Sequence, residues 1–366
     1  MKKQLLIGIA LVLALAVVFT GCAQTPAASS APASSAAAAS SAAPASSAPA
    51  SSAAAEDKPA KIVIGYQVIP NDETIAISQK WYETELGVPV ELKAFDSGRD
   101  VNTAFASGSL DIGLIGSAPV SVGISSGIPY EVFWIHDVIG SAESLAVKNS
   151  SGVKDVAGLK GKKIATPFAS TAHYSLLNAI KLAGLSATDV TILDMQPQDI
   201  LAAWQRGDID GAYVWQPTLG KLLADGKVIT DSAALAKQGV VTADLGVVSK
   251  AFAQKYPAIV TKYIELQDKA VQLYRTSPGE AADAIAKQFG ITAKDALEQA
   301  GQLIWLSAAE QTGSAYLGTS AAKGDLATTI KSTADFLVEQ KSIEKAASLD
   351  EIKNALNPQF AEAASK

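Results

Sequence analysis

The chain has 366 residues, 48% of them hydrophobic, and a formal net charge of −6. That length holds one to three domains, and the apolar share suffices for sizeable cores. The acidic balance and the lack of any basic cluster exclude a nucleic-acid surface.

Met1-Lys2-Lys3 precedes an apolar run over residues 5–19 that ends at Thr20-Gly21-Cys22. A basic start, a run shorter than the roughly 20 residues of a membrane span, and small residues at its end read as a signal peptide over residues 1–21. Cys22 is the single cysteine, so no intramolecular disulfide forms. Phe19-Thr20-Gly21-Cys22 resembles the bacterial lipoprotein box, with Phe where Leu is usual. The resemblance implies cleavage before Cys22, lipidation of its sulfur and an extracytoplasmic protein anchored to the cell membrane. Residues 22–57 are almost wholly Ala, Ser and Pro after the cysteine. Without large apolar residues such a segment cannot offset chain entropy, and it reads as a disordered tether.

From residue 58 the pattern becomes globular. Residues 61–66 (KIVIGY) read as a buried strand, 72–86 as a helix stopped by Gly87, and 88–95 as a strand. A helix at 101–107, a strand at 112–115, a helix at 119–125 and strands at 131–135 and 144–148 follow. Strands at 163–166, 190–194 and 211–215 then alternate with helices at 171–182 and 200–206. Residues 247–248 make a short strand, and the remainder is helical (251–256, 259–276, 278–288, 294–306 and 325–340). Strands alternating with helices imply parallel pairing and an α/β fold. Residues 149–246 look inserted between two parts of one domain. The expected organisation is lobe 1 over 58–148 plus 247–366, lobe 2 over 149–246, and a ligand cleft between them at the carboxyl ends of the strands.

Residues 166–180 (TPFASTAHYSLLNAI) place two hydroxyls beside one of the two histidines. Ser170 and His173 could face one side of a helical turn as nucleophile and base, but no G-x-S-x-G elbow accompanies them. No H-x-x-x-H or H-E-x-x-H supports a metal site. Ser170 or Thr171 could simply cap the helix after Pro167. A strand-to-helix turn can also bind an anion through free backbone N–H groups. Two further turns of this kind, Phe95-Asp96-Ser97-Gly98 and Ile115-Gly116-Ser117-Ala118-Pro119, favour the last reading, because three such turns can converge on one oxyanion. Arg99 reads as an exposed surface charge and no other basic side chain accompanies the turns. That suits a singly charged group such as a sulfonate better than a polyphosphate. In residues 202–217 (AAWQRGDIDGAYVWQP), Trp215 falls at a strand's carboxyl end, where it either faces the cleft or packs in the core; Trp204 reads as core, and Asp208 and Asp210 shape the turn.

The segments KIVIGYQ, FDSG, ASGSLDIGLIGSAP, PFASTAHYSLL, AAWQRGDIDGAYVWQP and DGKVITDS resemble, in this order, those of taurine-binding proteins, the substrate-binding components of sulfonate-importing ABC transporters. The resemblance covers residues 61 to about 257 closely. It implies a two-lobed type II periplasmic-binding fold that closes on its ligand. It also implies a sulfonate held by Ser97, Gly116, Ser117, Ser170 and Thr171, with His173 as a further donor. Tyr174 and Trp215 would line the ethyl chain, Gln67 would sit on the first loop, and Asp244 would take the ammonium. Relatives carry a carboxylate where this chain has Asn71, so Asn71, Asp72, Glu73 or Asp244 must serve the amine. A monomer is expected, with an ABC permease and ATPase as partners, and with no catalysis, metal or cofactor.

Overall fold

The computed structural model describes residues 58–366. The signal peptide, Cys22 and the tether lie outside the described residues. Among the described residues no helix is long and apolar enough to cross a membrane.

Two sheets form two lobes. In the first, β1 (Ile62–Gln67), β2 (Val90–Phe95) and β3 (Ile112–Gly116) are parallel, with Ile62 opposite Val90 and Ile64 opposite Ile112. β4 (Tyr130–Ile139) and β10 (Ala243–Ser249) complete its centre. β10 runs antiparallel between β3 and β4, and the two-residue β11 (Leu303–Ile304) borders β4. The second sheet contains β5 (Glu143–Lys148), β6 (Lys163–Thr166), β7 (Thr191–Asp194), β8 (Gly211–Trp215) and β9 (Gly226–Asp231), in the order β7-β6-β8-β5-β9. β6, β7 and β8 are parallel, whereas β5 is antiparallel to both β8 and β9.

Each sheet is covered on both faces, which explains its near-continuous apolar strands. On one face of the first sheet, Ile259, Val260, Tyr263 and Ile264 of the C-terminal helices pack on Ile62, Ile64, Ile112 and Leu114. On the other, Val101, Phe105, Val120 and Ile330 pack with Ile115, Val132 and Leu245. The second sheet is sandwiched between a cluster around Leu176, Ile180 and Tyr213 and one around Ile200, Trp204 and Val214.

Strand membership moves both expected lobe boundaries. Residues 144–148, assigned to lobe 1 from the sequence, belong to β5 of the second sheet, and residues 243–246, assigned to lobe 2, begin β10 of the first. The chain therefore crosses at residues 140–142 and again after β9 and its short helix Ser232–Ala236. Both displaced strands are antiparallel additions to parallel sheets. Their apolar runs (ESLAVK, ADLGVVS) show burial on two faces without naming the sheet. β4 is also longer than the expected 131–135, because pairing with β10 carries it to Val138 and pairing with β11 to Ile139.

Candidate ligand-binding cleft

Between the lobes lies a narrow cavity lined from both sides. The first lobe contributes Gln67, Ile69, Pro70, Gly98, Gly116, Pro119, Ile139, Asp244 and Leu303; the second contributes Glu143, Ser170, Thr171, Trp215 and Gln216, with Ala142 at a crossing. Three helices start at this space, namely Gly98–Ala106, Ser117–Ser125 and Thr171–Leu182. The N-cap residues of the first two, Ser97 and Gly116, make no side-chain cap, so the leading N–H groups stay available. Three positive helix ends around one cavity are an arrangement that can accept an anion. Glycine is required for the approach: a Cβ on Gly98 would meet Pro119 at 2.5 Å, and one on Gly116 would meet Thr171 of the opposite lobe at 2.8 Å.

The other charges in the cavity are negative. Glu143, at the start of β5, is fully buried and is held by Thr171 Oγ1 (2.5 Å), Ser232 Oγ (2.9 Å) and Ser175 Oγ (3.4 Å), all donating. Burial pushes its carboxyl up to about 7, against the lowering effect of these hydroxyls. Asp244 faces the same space from β10, and burial first, then Asp137 and Glu143, push its carboxyl well above the usual range. Among the described residues no lysine, arginine or histidine lines the cavity. Among the described residues no group of His, Cys, Asp and Glu is placed to hold a metal ion.

Residues 60–289 match the family described as the substrate binding domain of ABC-type glycine betaine transport system. The chain belongs to this family. Among its curated relatives is the taurine-binding periplasmic protein of Escherichia coli (strain K12), 42% identical over 217 residues, or 59% of this chain and 67% of that protein. The alkanesulfonate-binding protein SsuA from Xanthomonas axonopodis pv. citri, solved bound to MOPS, superposes with a TM-score of 0.69 at 22% identity, covering 82% of this chain and 98% of that one. The periplasmic aliphatic sulphonate binding protein SsuA from Escherichia coli gives 0.67 at 23%, covering 83% and 100%. These two structures share the two-lobed fold.

In this substrate-binding domain, six residues singled out from the sequence line the cavity: Gln67, Gly116, Ser170, Thr171, Trp215 and Asp244. Two of their hydroxyls are already engaged. Ser170 Oγ donates to Pro167 O at 2.5 Å and accepts from His173 N at 3.1 Å, so it is a helix cap. Thr171 Oγ1 donates to Glu143, which leaves this turn its backbone N–H groups for an anion. Trp215 ends β8 and packs against clusters of both lobes.

The other five do not line it. Ser97 Oγ donates to Asp100 Oδ2 at 3.0 Å, and Ser117 Oγ accepts from Ala243 N at 3.2 Å. His173 stacks on Phe168, with centroids 4.4 Å apart, and burial drives its pKa down to about 4, so the ring is neutral at pH 7. Tyr174 meets Phe336 edge-on at 5.3 Å, which makes it a contact between the lobes. Asn71 donates from Nδ2 to Asp137 Oδ2 at 3.0 Å. Its neighbours are occupied too: Asp72 binds Trp134 Nε1 (2.8 Å) and His136 Nδ1 (2.7 Å), and Glu73 accepts from Tyr263 at 2.8 Å. None of these three lines the cavity.

Sequence reasoning missed Glu143, whose only local signal is a polar residue heading an apolar strand. It also missed Gly98, although FDSG was marked as a turn. Arg99, read as an exposed charge, is half-buried and reaches Asp194 of the other lobe at 2.7 Å. Gln196 beside it donates to Ser97 Oγ (3.2 Å) and Asp100 Oδ2 (3.0 Å), and Gln198 to Asp96 (3.3 Å). Trp204 is core as read, with Nε1 on Asp225 at 2.6 Å.

Proposed function

We propose that the chain is the extracytoplasmic binding component of an ABC importer for taurine, 2-aminoethanesulfonate. It is anchored through a lipid on Cys22 and passes its ligand, unreacted, to a permease and an ATPase. The observation that carries this reading is charge placement. The cavity has helix starts for an anion and, from opposite lobes, two buried carboxyls with no basic side chain to answer them. Buried carboxylates without a partner are costly, and an ammonium supplied by the ligand removes that cost. Taurine carries both charges across an ethyl group, and Trp215 and Ile69 offer apolar walls for that group. The likeness to the Escherichia coli taurine-binding periplasmic protein supports the same ligand.

A plain alkanesulfonate would leave both carboxyls unanswered. A quaternary amine is favoured by several aromatic faces, and Trp215 alone among the lining residues provides one. Nothing in the lining pairs a nucleophile with a base, since Ser170 is a cap and His173 stacks elsewhere. Calorimetry of the purified domain with taurine, ethanesulfonate, 2-hydroxyethanesulfonate, glycine betaine, sulfate and nitrate tests the reading. Taurine is expected to bind at least a hundredfold more tightly than ethanesulfonate. Equal affinity for the two, or preference for glycine betaine, overturns it.

A further inference from the structure

Behind the cavity wall stands a carboxyl that does not line it. β10 and β4 run antiparallel and set Asp137 directly opposite Asp244. Asp137 is fully buried, Asp244 nearly so. Asn71 Nδ2 donates to Asp137 Oδ2, while Oδ1 of the same carboxyl is buried without a hydrogen-bond partner. An acidic side chain placed this way is satisfied only if it carries a proton or faces one.

The surrounding elements offer little else. On β4, His136 holds Asp72 at 2.7 Å; Asp72 and Glu73 come from the helix Asp72–Ser78; Glu143 comes from β5. On the other side of β10, Asp244 lies opposite Gly116, which has nothing to titrate. Burial lowers His136, but Asp72 outweighs it and raises the imidazole above its ordinary value; His136 in turn lowers Asp137 only in part. Burial pushes both members of the facing pair up and Asp72 adds to this in each case; their mutual hydrogen bond lowers Asp137 and raises Asp244, so in the empty pair Asp244 holds its proton more firmly, and only a cation docked on Asp244 reverses the roles. Two carboxylates in contact in a buried site do not both ionise readily.

We propose that Asp137 is a positioning residue that acts through Asp244: it stays protonated and donates that proton to the Asp244 carboxylate, so that an amine docking on Asp244 displaces one proton to solvent. In atoms, the empty pair is two carboxylic acids at mildly acid pH. On docking, Asp244 COOH becomes COO⁻, its proton leaves to water, an ammonium N–H···O bond forms, and Asp137 O–H···O⁻ closes the other side. The inference rests on the amine-ligand reading of the cleft.

Two measurements test it. Calorimetry of Glu143→Gln, which removes the second titrating carboxyl of the cavity, at pH 6 in buffers of different ionisation heat is expected to show about one proton released per taurine and none per ethanesulfonate. Asp137→Asn, whose amide copies the donating acid, is expected to keep taurine affinity within about threefold at pH 6. It should also lack the decline in affinity expected of wild type above about pH 7, where Asp137 ionises. Asp137→Ala is expected to lose tenfold or more for taurine and under threefold for ethanesulfonate. Taurine binding without proton release, or Asn behaving as Ala, overturns the proposal while leaving the ligand reading intact. Carboxyl carbon NMR of the empty protein reads the pair without any ligand. Both groups titrating in the ordinary aspartate range overturns the proposal even if taurine does not bind at all.

Discussion

Replacing Glu143 with Gln isolates the charge that the second lobe presents to the cavity. The side chain keeps its shape, and its amide oxygen still accepts from Thr171 or Ser232, the two closest of the three donors. What is lost is the attraction between a carboxylate and an ammonium. At about 4 Å and an effective dielectric constant near 20 that term is about 4 kcal/mol. Because burial lifts Glu143 to about 7, ionising it at pH 8 costs little, so most of the term reaches the measured affinity. Asp244 remains and takes a share of the amine. The expected net loss is about 2–4 kcal/mol, or roughly 30- to 700-fold in taurine Kd, within the range for truncating one partner of a buried charge pair. Ethanesulfonate, which has no amine, should bind Glu143→Gln as well as wild type or better, since a buried negative charge has gone. Titration calorimetry of both ligands at pH 8 reads the two effects. Equal loss for both ligands would show that Glu143 only holds Thr171 and the helix start. An unchanged taurine Kd would place the amine elsewhere.

Gly116→Ala puts a Cβ 2.8 Å from Thr171 of the opposite lobe, so the lobes should stop short of full closure. Taurine affinity should fall about tenfold or more while the melting temperature of the empty protein stays within a few degrees. A matching loss of stability would assign the effect to the fold. Arg99→Ala removes an interlobe ion pair whose side chains are both 39% exposed, so solvent screening limits the effect to about 1 kcal/mol or less. Stopped-flow dissociation should speed up about two- to fivefold with little change in association, and an unchanged off-rate would refute a latch role. Glu73 and Glu143 have folded pKa values raised to about 7 from 4.5. Their contribution to stability is therefore full below about pH 4.5 and lost as pH rises through about 7. The empty protein should melt several degrees lower at pH 8 than at pH 5.5, and taurine should narrow the gap. A flat or rising profile would contradict the burial of these carboxyls.

Much of the fold was legible because parallel strands buried on two faces write themselves as apolar runs, as in IVIGYQ and IGLIG, and because glycine and hydroxyl turns mark where helices begin. The proposed anion end follows from the same signals at Gly116 and Thr171, and the FDSG turn marks the third helix start. The antiparallel strands were harder. β5 and β10 look like any buried run, and only the chain's return path decides which sheet they join. Side-chain partners far along the chain were not readable at all. Glu143 acquires its character from Thr171, Ser175 and Ser232, and Tyr174 is turned from ligand wall to lobe contact by Phe336. Asn71 looked like a substitute for a ligand carboxylate, yet its amide serves Asp137, a residue the sequence left unremarked.

The cavity's charges have a mechanical consequence. Positive helix ends come from both lobes, and so do the two carboxyls, so closing the empty protein brings like against like at the anion end and obliges the carboxyls at the other end to keep their protons. A ligand bearing one charge of each sign supplies both missing counter-charges at once. It acts as the keystone of an arch whose two sides would otherwise push apart, and occupancy, rather than contact between the lobes alone, then decides when the closed surface is shown.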